Sequence, residues 1–150
     1  MRRAKKITSK PPRLYQDQSE YFLTFNTYRR QVFFNYEERK LICESILFLK
    51  DKMKLQLICF AILPEHVHIL ANFQRARDVT TFLRRLKTYT TRIIKAKRKR
   101  KLPIWQRGTY DRVVRSDKEL DRFYNYIVYN PVKHGYVKSI AGWDSVWSVV

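Results

Sequence analysis

Two apolar runs stand almost back to back in this chain, LQLICFAIL (55–63) and HVHILANF (66–73), with only Pro64 and Glu65 between them. Each has the length and the β-branched and aromatic content of a buried strand. Proline cannot donate to a strand ladder, so Pro64 and Glu65 read as a tight connection. The flanks then decide the fold. EYFLTFNT (20–27) alternates and reads as an earlier strand. Asn35 is placed to cap a helix with Glu37 and Glu38 in its first turn and Leu41, Ile42, Ile46 and Leu49 at helical spacing. Asp78 reads as the cap of a second helix, with Val79, Phe82, Leu83, Leu86, Tyr89 and Ile93 on one stripe. That helix runs into TRIIKAKRKRK, whose basic end is expected to fray. TYDRVV (109–114) is a fourth strand. Ser116 and Glu119 form a capping-box pattern ahead of Leu120, Phe123, Tyr124 and Ile127, and Pro131 is expected to end this third helix. The order is that of an α+β, ferredoxin-like βαββαβ sheet with an additional C-terminal helix. Right-handed crossovers put the first two helices on one sheet face and leave the other for a ligand. Residues 1–19, polar, basic and proline-containing, read as a flexible arm before a single domain at 20–150.

Charge narrows the function. Lysine and arginine number 32 against 13 acids, a formal charge of +19 over 150 residues. That excess favours polyanions, nucleic acid first. Cys43 and Cys59 sit in apolar contexts and read as reduced core residues of a cytoplasmic protein. The basic start MRRAKKITSKPPRL has no apolar stretch behind it and does not read as a signal peptide. The longest apolar run, LICFAIL, is far short of the roughly 20 residues that span a bilayer.

Two of the three histidines, His66 and His68, lie two apart in the second run. In a strand they project to one face while Val67 points to the other. Such a pair can chelate a divalent ion, or it can be two hydrogen-bonded strand histidines. Glu65 shares the Val67 side if the strand includes it, which makes it a poor third ligand. Tyr126 and Asn130 are four apart and share a helix face. An asparagine carbonyl can bind a hard cation, and a tyrosine beside a metal-bound phosphate can act as nucleophile. Among ten tyrosines, Tyr124 and Tyr89 fall on apolar stripes, and Tyr129 lies about 100° around the helix from Asn130. His134, just before Gly135, reads as a turn residue or a DNA contact.

The segments LPEHVHIL, IWQRGTYDRVVRS and YNYIVYNPVKHGYV, in this order and at these separations, resemble the single-tyrosine HUH transposases, in particular the REP-associated branch. The resemblance runs from about Tyr21 to the end. Arg112 stands where the family often has histidine, and Thr109 where it has an aromatic. The resemblance implies the same ferredoxin-like fold, with His66 and His68 as the metal-holding pair, Asn130 as the third ligand and Tyr126 as the nucleophile. It implies single-strand DNA cleavage beside hairpins, with the 5′ end held as a phosphotyrosine.

The chemistry suits these groups. A divalent ion offsets charge developing on a phosphodiester, and a tyrosyl phosphodiester keeps a leaving group that a 3′-hydroxyl can displace. Strand transfer then needs no nucleotide cofactor. Two imidazoles and an amide suit Mn2+ better than Mg2+, and Zn2+ also fits two histidines; the family points to Mg2+ or Mn2+. Metal-bound water, Asp111 and Glu65 stand as the open choices for general base. Candidate DNA contacts are Arg84, Arg85, Lys87, Arg92, Lys95, Lys97, Arg98, Trp105, Gln106, Arg107 and Lys133. Trp105 and Tyr110 are placed either to stack bases or, for Trp105, to join the core. A water-using metal nuclease and a non-catalytic nucleic-acid-binding protein of the same fold are the alternatives, and the sequence leaves monomer and homodimer open.

Overall fold

The computed structural model describes residues 17–149, so residues 1–16 of the expected arm lie outside the described residues. The elements run β1 (Ser19–Asn26), α1 (Tyr36–Met53), β2 (Gln56–Ile62), β3 (His66–Phe73), α2 (Ala76–Arg98), β4 (Tyr110–Val113), α3 (Asp117–Val128), α4 (Asn130–Lys133) and β5 (Val146–Ser148), with single 3-10 turns at Tyr28–Arg30 and Ile140–Gly142. The strands form one sheet in the order β4-β1-β3-β2-β5, every neighbour antiparallel. The first four strands and two helices give the ferredoxin-like arrangement.

Strand parity divides the core. Val67, Ile69, Ala71 and Phe73 of β3 join Tyr21, Leu23 and Phe25 of β1 under α1 and α2. Leu70 of β3 joins Phe22, Cys59, Ala61 and Leu63 on the opposite face, where Phe123, Ile127 and Val128 of α3 pack onto them. The second face is therefore not open to a ligand along its length. The tyrosine-bearing helix lies across it. Both cysteines are free, and burial pushes the Cys59 thiol up to about 12, which keeps it inert.

Several local expectations change. Arg75, not Asp78, is the N-cap of α2, and the Asp17 carboxylate accepts the Ala76 N–H at 2.7 Å. The basic end of α2 does not fray: it is helical to Arg98 and closes on Lys99 in the left-handed region. Its buried stripe drifts to Thr90 and Ile94, leaving Tyr89 exposed, because the Thr90 hydroxyl donates to Leu86 O and accepts the Trp105 indole N–H. Ser116 caps α3 through Glu119 N, but the Glu119 carboxylate takes Arg112 instead of closing the box. Pro131 sits in the first turn of α4, where its missing N–H costs nothing, so it starts a helix as well as following one. The strand β5, three residues long, had no visible alternation.

The end of α2 is tied to the start of α1. Arg98 donates to both Glu38 carboxylate oxygens at 2.6 Å, while Glu38 completes a capping box with Asn35. Burial alone would raise the Glu38 carboxyl, yet the Arg98 and Asn35 hydrogen bonds hold it below its ordinary value of 4.5. Arg98→Ala leaves a carboxylate 7% exposed without its cation. The guanidinium is itself 32% exposed, so screening limits the effect to about 2 kcal/mol. The sign is fixed by the direction of the shift: a depressed carboxyl stabilises above its unfolded pKa and loses that contribution as pH falls through its folded one. Urea melts should show the parent's advantage over Arg98→Ala at neutral pH and its shrinkage below about pH 4.5.

Candidate functional site

The register of the sheet builds one half of the site. Thr24 of β1 and Ala61 of β2 flank His68 of β3, and the Thr24 hydroxyl lies 2.7 Å from His68 Nδ1. Phe22 stacks on the His68 ring at 5.7 Å and on Phe123 at 4.4 Å, which fixes the imidazole between strand and helix. His66 lies at the first position of β3, its ring 4.8 Å from that of His68. Both histidines are 3% exposed. Burial lowers the pKa of each, against the pull of Asn130 and Glu65 at His66, and well below 6.5 at His68. Both rings are neutral at pH 7, the form that ligates metals.

The second half comes from α3 and α4. Helical conformation relaxes at Tyr129, between Tyr126 and Asn130, where the Tyr129 N–H reaches Asn125 O and the Lys133 N–H reaches Tyr129 O. Tyr126 and Asn130 still meet the same histidine pair across the break. Fully buried Asn130 points Oδ1 at His66 Nε2, 3.0 Å away. The Tyr126 ring is 5.2 Å from His68 and 6.0 Å from Phe22, with Lys133 Nζ 4.9 Å above it. All four sequence candidates thus converge. Other tyrosines are engaged elsewhere: Tyr124 with the Ser148 hydroxyl at 2.6 Å, and Tyr136 with Glu65 at 2.8 Å. Burial and Glu65 together push the Tyr136 phenol up to about 12.

The donor set fits a divalent cation. Each imidazole has Nδ1 occupied by a protein group, Glu65 for His66 and Thr24 for His68, so each can present Nε2 as a lone pair. His68 Nε2 is a buried nitrogen with no hydrogen-bond partner among the described residues. His66 Nε2 and Asn130 Oδ1, both acceptors in that tautomer, face each other at 3.0 Å. Adjacent donors around an octahedral ion with bonds of about 2.1 Å stand about 3.0 Å apart. No cluster of three His, Cys, Asp or Glu side chains with metal-holding geometry occurs among the described residues; the third donor here is an amide.

Three contributors were not visible in the sequence, and a fourth, Glu65, was weighed there only as a base and as a poor third ligand. Glu65 lies just outside β3, so the parity that set it on the Val67 side does not apply, and it bonds His66 Nδ1 at 2.9 Å. Burial would raise its carboxyl, but Tyr136, His66 and Arg30 hold it below 4.5. Tyr136, Arg30 and Thr24 join through register and loop geometry, for which a sequence has no periodic signal. His134 lies in the turn after α4 as expected, exposed, with its ring 5.2 Å from His66 at the mouth of the site.

The candidate DNA contacts divide. Arg84, Arg85, Arg92 and Lys97 are exposed on α2, in the layer opposite the histidine pair, and the three arginines rim a cavity of about 740 Å³ between α1 and α2. Arg107 and Lys133 are exposed, as is Gln106, whose Oε1 accepts the Arg29 N–H. Expectations for Lys87 and Arg98 are corrected, and the open choice for Trp105 closes on the core. Trp105 is 7% exposed, packed on Phe25 and Phe34, so it is core and not a stacking platform. Lys87 donates to Gly108 O and Thr109 Oγ1 over the Phe25 ring, and burial lowers its amine to about 8. Arg98 is committed to Glu38 and Phe33 O. Lys95 is half-buried and donates to Lys101 O.

Comparison with known proteins follows the geometry. The family described as Transposase IS200 like matches residues 15–130, a span that ends on Asn130. A Haemophilus influenzae relative, provisionally named a REP-associated tyrosine transposase, is 35% identical over 96 residues, 57% of this chain and 54% of its own. The match thus spans about half the length of that relative. The REP-associated tyrosine transposase of Escherichia coli K12 is 26% identical over 132 residues, 87% of this chain and 77% of its own. A solved structure of a REP-associated tyrosine transposase bound to a REP hairpin superposes with a TM-score of 0.78 at 24% identity, over 92% of this chain and 81% of that one, which supports the fold. No helix among the described residues is long and apolar enough to cross a membrane.

Proposed function

The chain belongs to the IS200-like transposase family, and from that premise we propose that it nicks and rejoins single-stranded DNA beside hairpins through a 5′-phosphotyrosine. The observation that carries this reading is the convergence of Tyr126, Asn130, His66 and His68. His66 and His68 through Nε2, and Asn130 through Oδ1, are the groups that would hold a divalent cation, Mg2+ or Mn2+. That ion, when bound, polarises a phosphate oxygen and offsets its developing charge.

Tyr126 supplies the nucleophile. Its phenol oxygen attacks phosphorus and gives up its proton, the P–O3′ bond breaks, and the 3′-oxygen leaves as a hydroxyl. The 5′ phosphate stays on Tyr126 as a diester. Attack by a free 3′-hydroxyl reverses the exchange, returning the phenol and sealing the strand. Bond count is conserved in each direction, so the cycle needs no external energy source. Lys133, 4.9 Å from the Tyr126 ring centroid, places a cation where the phenol oxygen and the phosphate gather negative charge. Arg84, Arg85, Arg92 and Lys97 supply backbone attraction on the far layer. A DNA substrate of this kind places the protein in the bacterial cytoplasm.

Incubation with hairpin-bearing single strands and Mn2+ should yield a protein–DNA species that survives SDS, and chelation should prevent it. Adduct formed equally in excess chelator would contradict the metal's role. Binding measured separately should weaken with salt at a log–log slope near −4, as expected for about six neutralised phosphates.

A further inference from the structure

We propose that Glu65 is a positioning residue, which fixes the His66 ring with Nε2 facing Asn130 and the cation; this rests on the metal reading above. Glu65 is held from both ends. Its backbone carbonyl accepts the Thr27 N–H at 2.9 Å, and the Pro64 carbonyl beside it accepts the Phe34 N–H at 2.8 Å. The connection between β2 and β3 is therefore pinned before any side chain acts. The carboxylate, 11% exposed, has separate work for each oxygen. Oε1 accepts from His66 Nδ1 at 2.9 Å with Arg30 Nη2 3.6 Å away, and Oε2 accepts from the Tyr136 hydroxyl at 2.8 Å.

The brace has its own anchors. Tyr136 lies 5.4 Å from the Trp143 ring, and Trp143 donates its indole N–H to Ile62 O on β2. The Arg39 guanidinium sits 4.6 Å over the same indole. Arg29 and Arg30 both hold positive φ, 52° and 53°, a conformation non-glycine residues avoid. That turn brings the Arg30 guanidinium to Glu65. A carboxylate buried only for stability would need its cation; this one takes an imidazole and a phenol first. An acceptor on Nδ1 selects the tautomer whose Nε2 is a lone pair and makes that lone pair more basic. His68 has a neutral hydroxyl in the equivalent place, so His66 is set up as the stronger of the two ligands.

Mn2+ titration of the metal-free protein, followed by the electron paramagnetic resonance of free Mn2+, tests this alongside nitrogen-15 spectra of the His66 ring. Glu65→Ala should weaken Mn2+ binding about 10- to 100-fold and release the His66 tautomer preference before any metal is added. Glu65→Gln keeps an acceptor and should restore most of the tautomer signal with a loss of only a few-fold in affinity. Tyr136→Phe should fall between parent and Glu65→Ala. Parental affinity and an unchanged His66 spectrum in Glu65→Gln and Glu65→Ala would overturn the proposal. A misfolded Glu65→Ala leaves the decision to Glu65→Gln and Tyr136→Phe, where parental Mn2+ affinity in both overturns it. Absence of Mn2+ binding by the parent would instead overturn the metal reading.

Discussion

Tyr126→Phe should eliminate the covalent protein–DNA species, a loss of more than about 1,000-fold in nicking, while leaving DNA binding at the parental level. The substitution removes one oxygen and keeps the ring. The contacts that place that ring are edge contacts to Phe22 and His68 and the Lys133 ammonium above it, and none of them uses the hydroxyl. Folding and the electropositive surface are therefore preserved, and among the described residues no other phenol contacts the His68 ring. Tyr136, the other phenol near the pair, is bound to Glu65 and held protonated. A water-using nuclease makes the opposite forecast: cleavage continues in Tyr126→Phe and no adduct forms in either protein. Denaturing gels of the two proteins on one labelled hairpin strand separate these outcomes.

The second large effect concerns His68. His68→Ala should abolish both adduct formation and metal-linked stabilisation. A ligand that binds only the folded state stabilises it by RT ln(1 + [L]/Kd), about 2.7 kcal/mol at a concentration 100 times Kd. Parent protein should thus melt higher as Mn2+ is added, and His68→Ala should not respond. The metal-free comparison adds an internal control. His68 Nε2 is a buried nitrogen without a partner among the described residues, and a buried unsatisfied polar atom costs stability. Its removal offsets part of the cavity penalty of the alanine. His68→Ala should therefore remain folded without metal, which separates lost binding from lost structure. An Mn2+-dependent shift of parental size in His68→Ala, read by differential scanning calorimetry, would remove His68 from the donor set.

Periodicity placed the site residues in the sequence, and the resemblance to single-tyrosine HUH transposases supplied their expected roles. Period two put His66 and His68 on one face, and the antiparallel register bears that parity from Phe22 and Thr24 across to Leu70. The 3.6-residue period put Tyr126 and Asn130 on one side, and both still meet the histidine pair although the backbone relaxes at Tyr129. What the sequence hid has no period. Trp105 is one aromatic in a connection, and only the fold shows that Thr27 bridges to it and that Phe25 and Phe34 enclose it. Lys87 looked like one more basic residue on a helix face, yet Gly108 and Thr109 bend over it. Glu65 was weighed as a base and a poor metal ligand, and only the connection outside β3 shows it set against His66 Nδ1. The coverage of the second sheet face by α3 depends on how a helix returns to a sheet, which local sequence does not encode.

The central claim is that an imidazole pair and a carboxamide direct one phenol at a phosphodiester. The most direct measurement digests the adduct formed with Mn2+ and a hairpin strand, then locates the nucleotide by tandem mass spectrometry. The account predicts a single 5′-phosphonucleotide on the peptide containing Tyr126. A nucleotide found on Tyr129, Tyr136 or any other side chain, with Tyr126 unmodified, would contradict it.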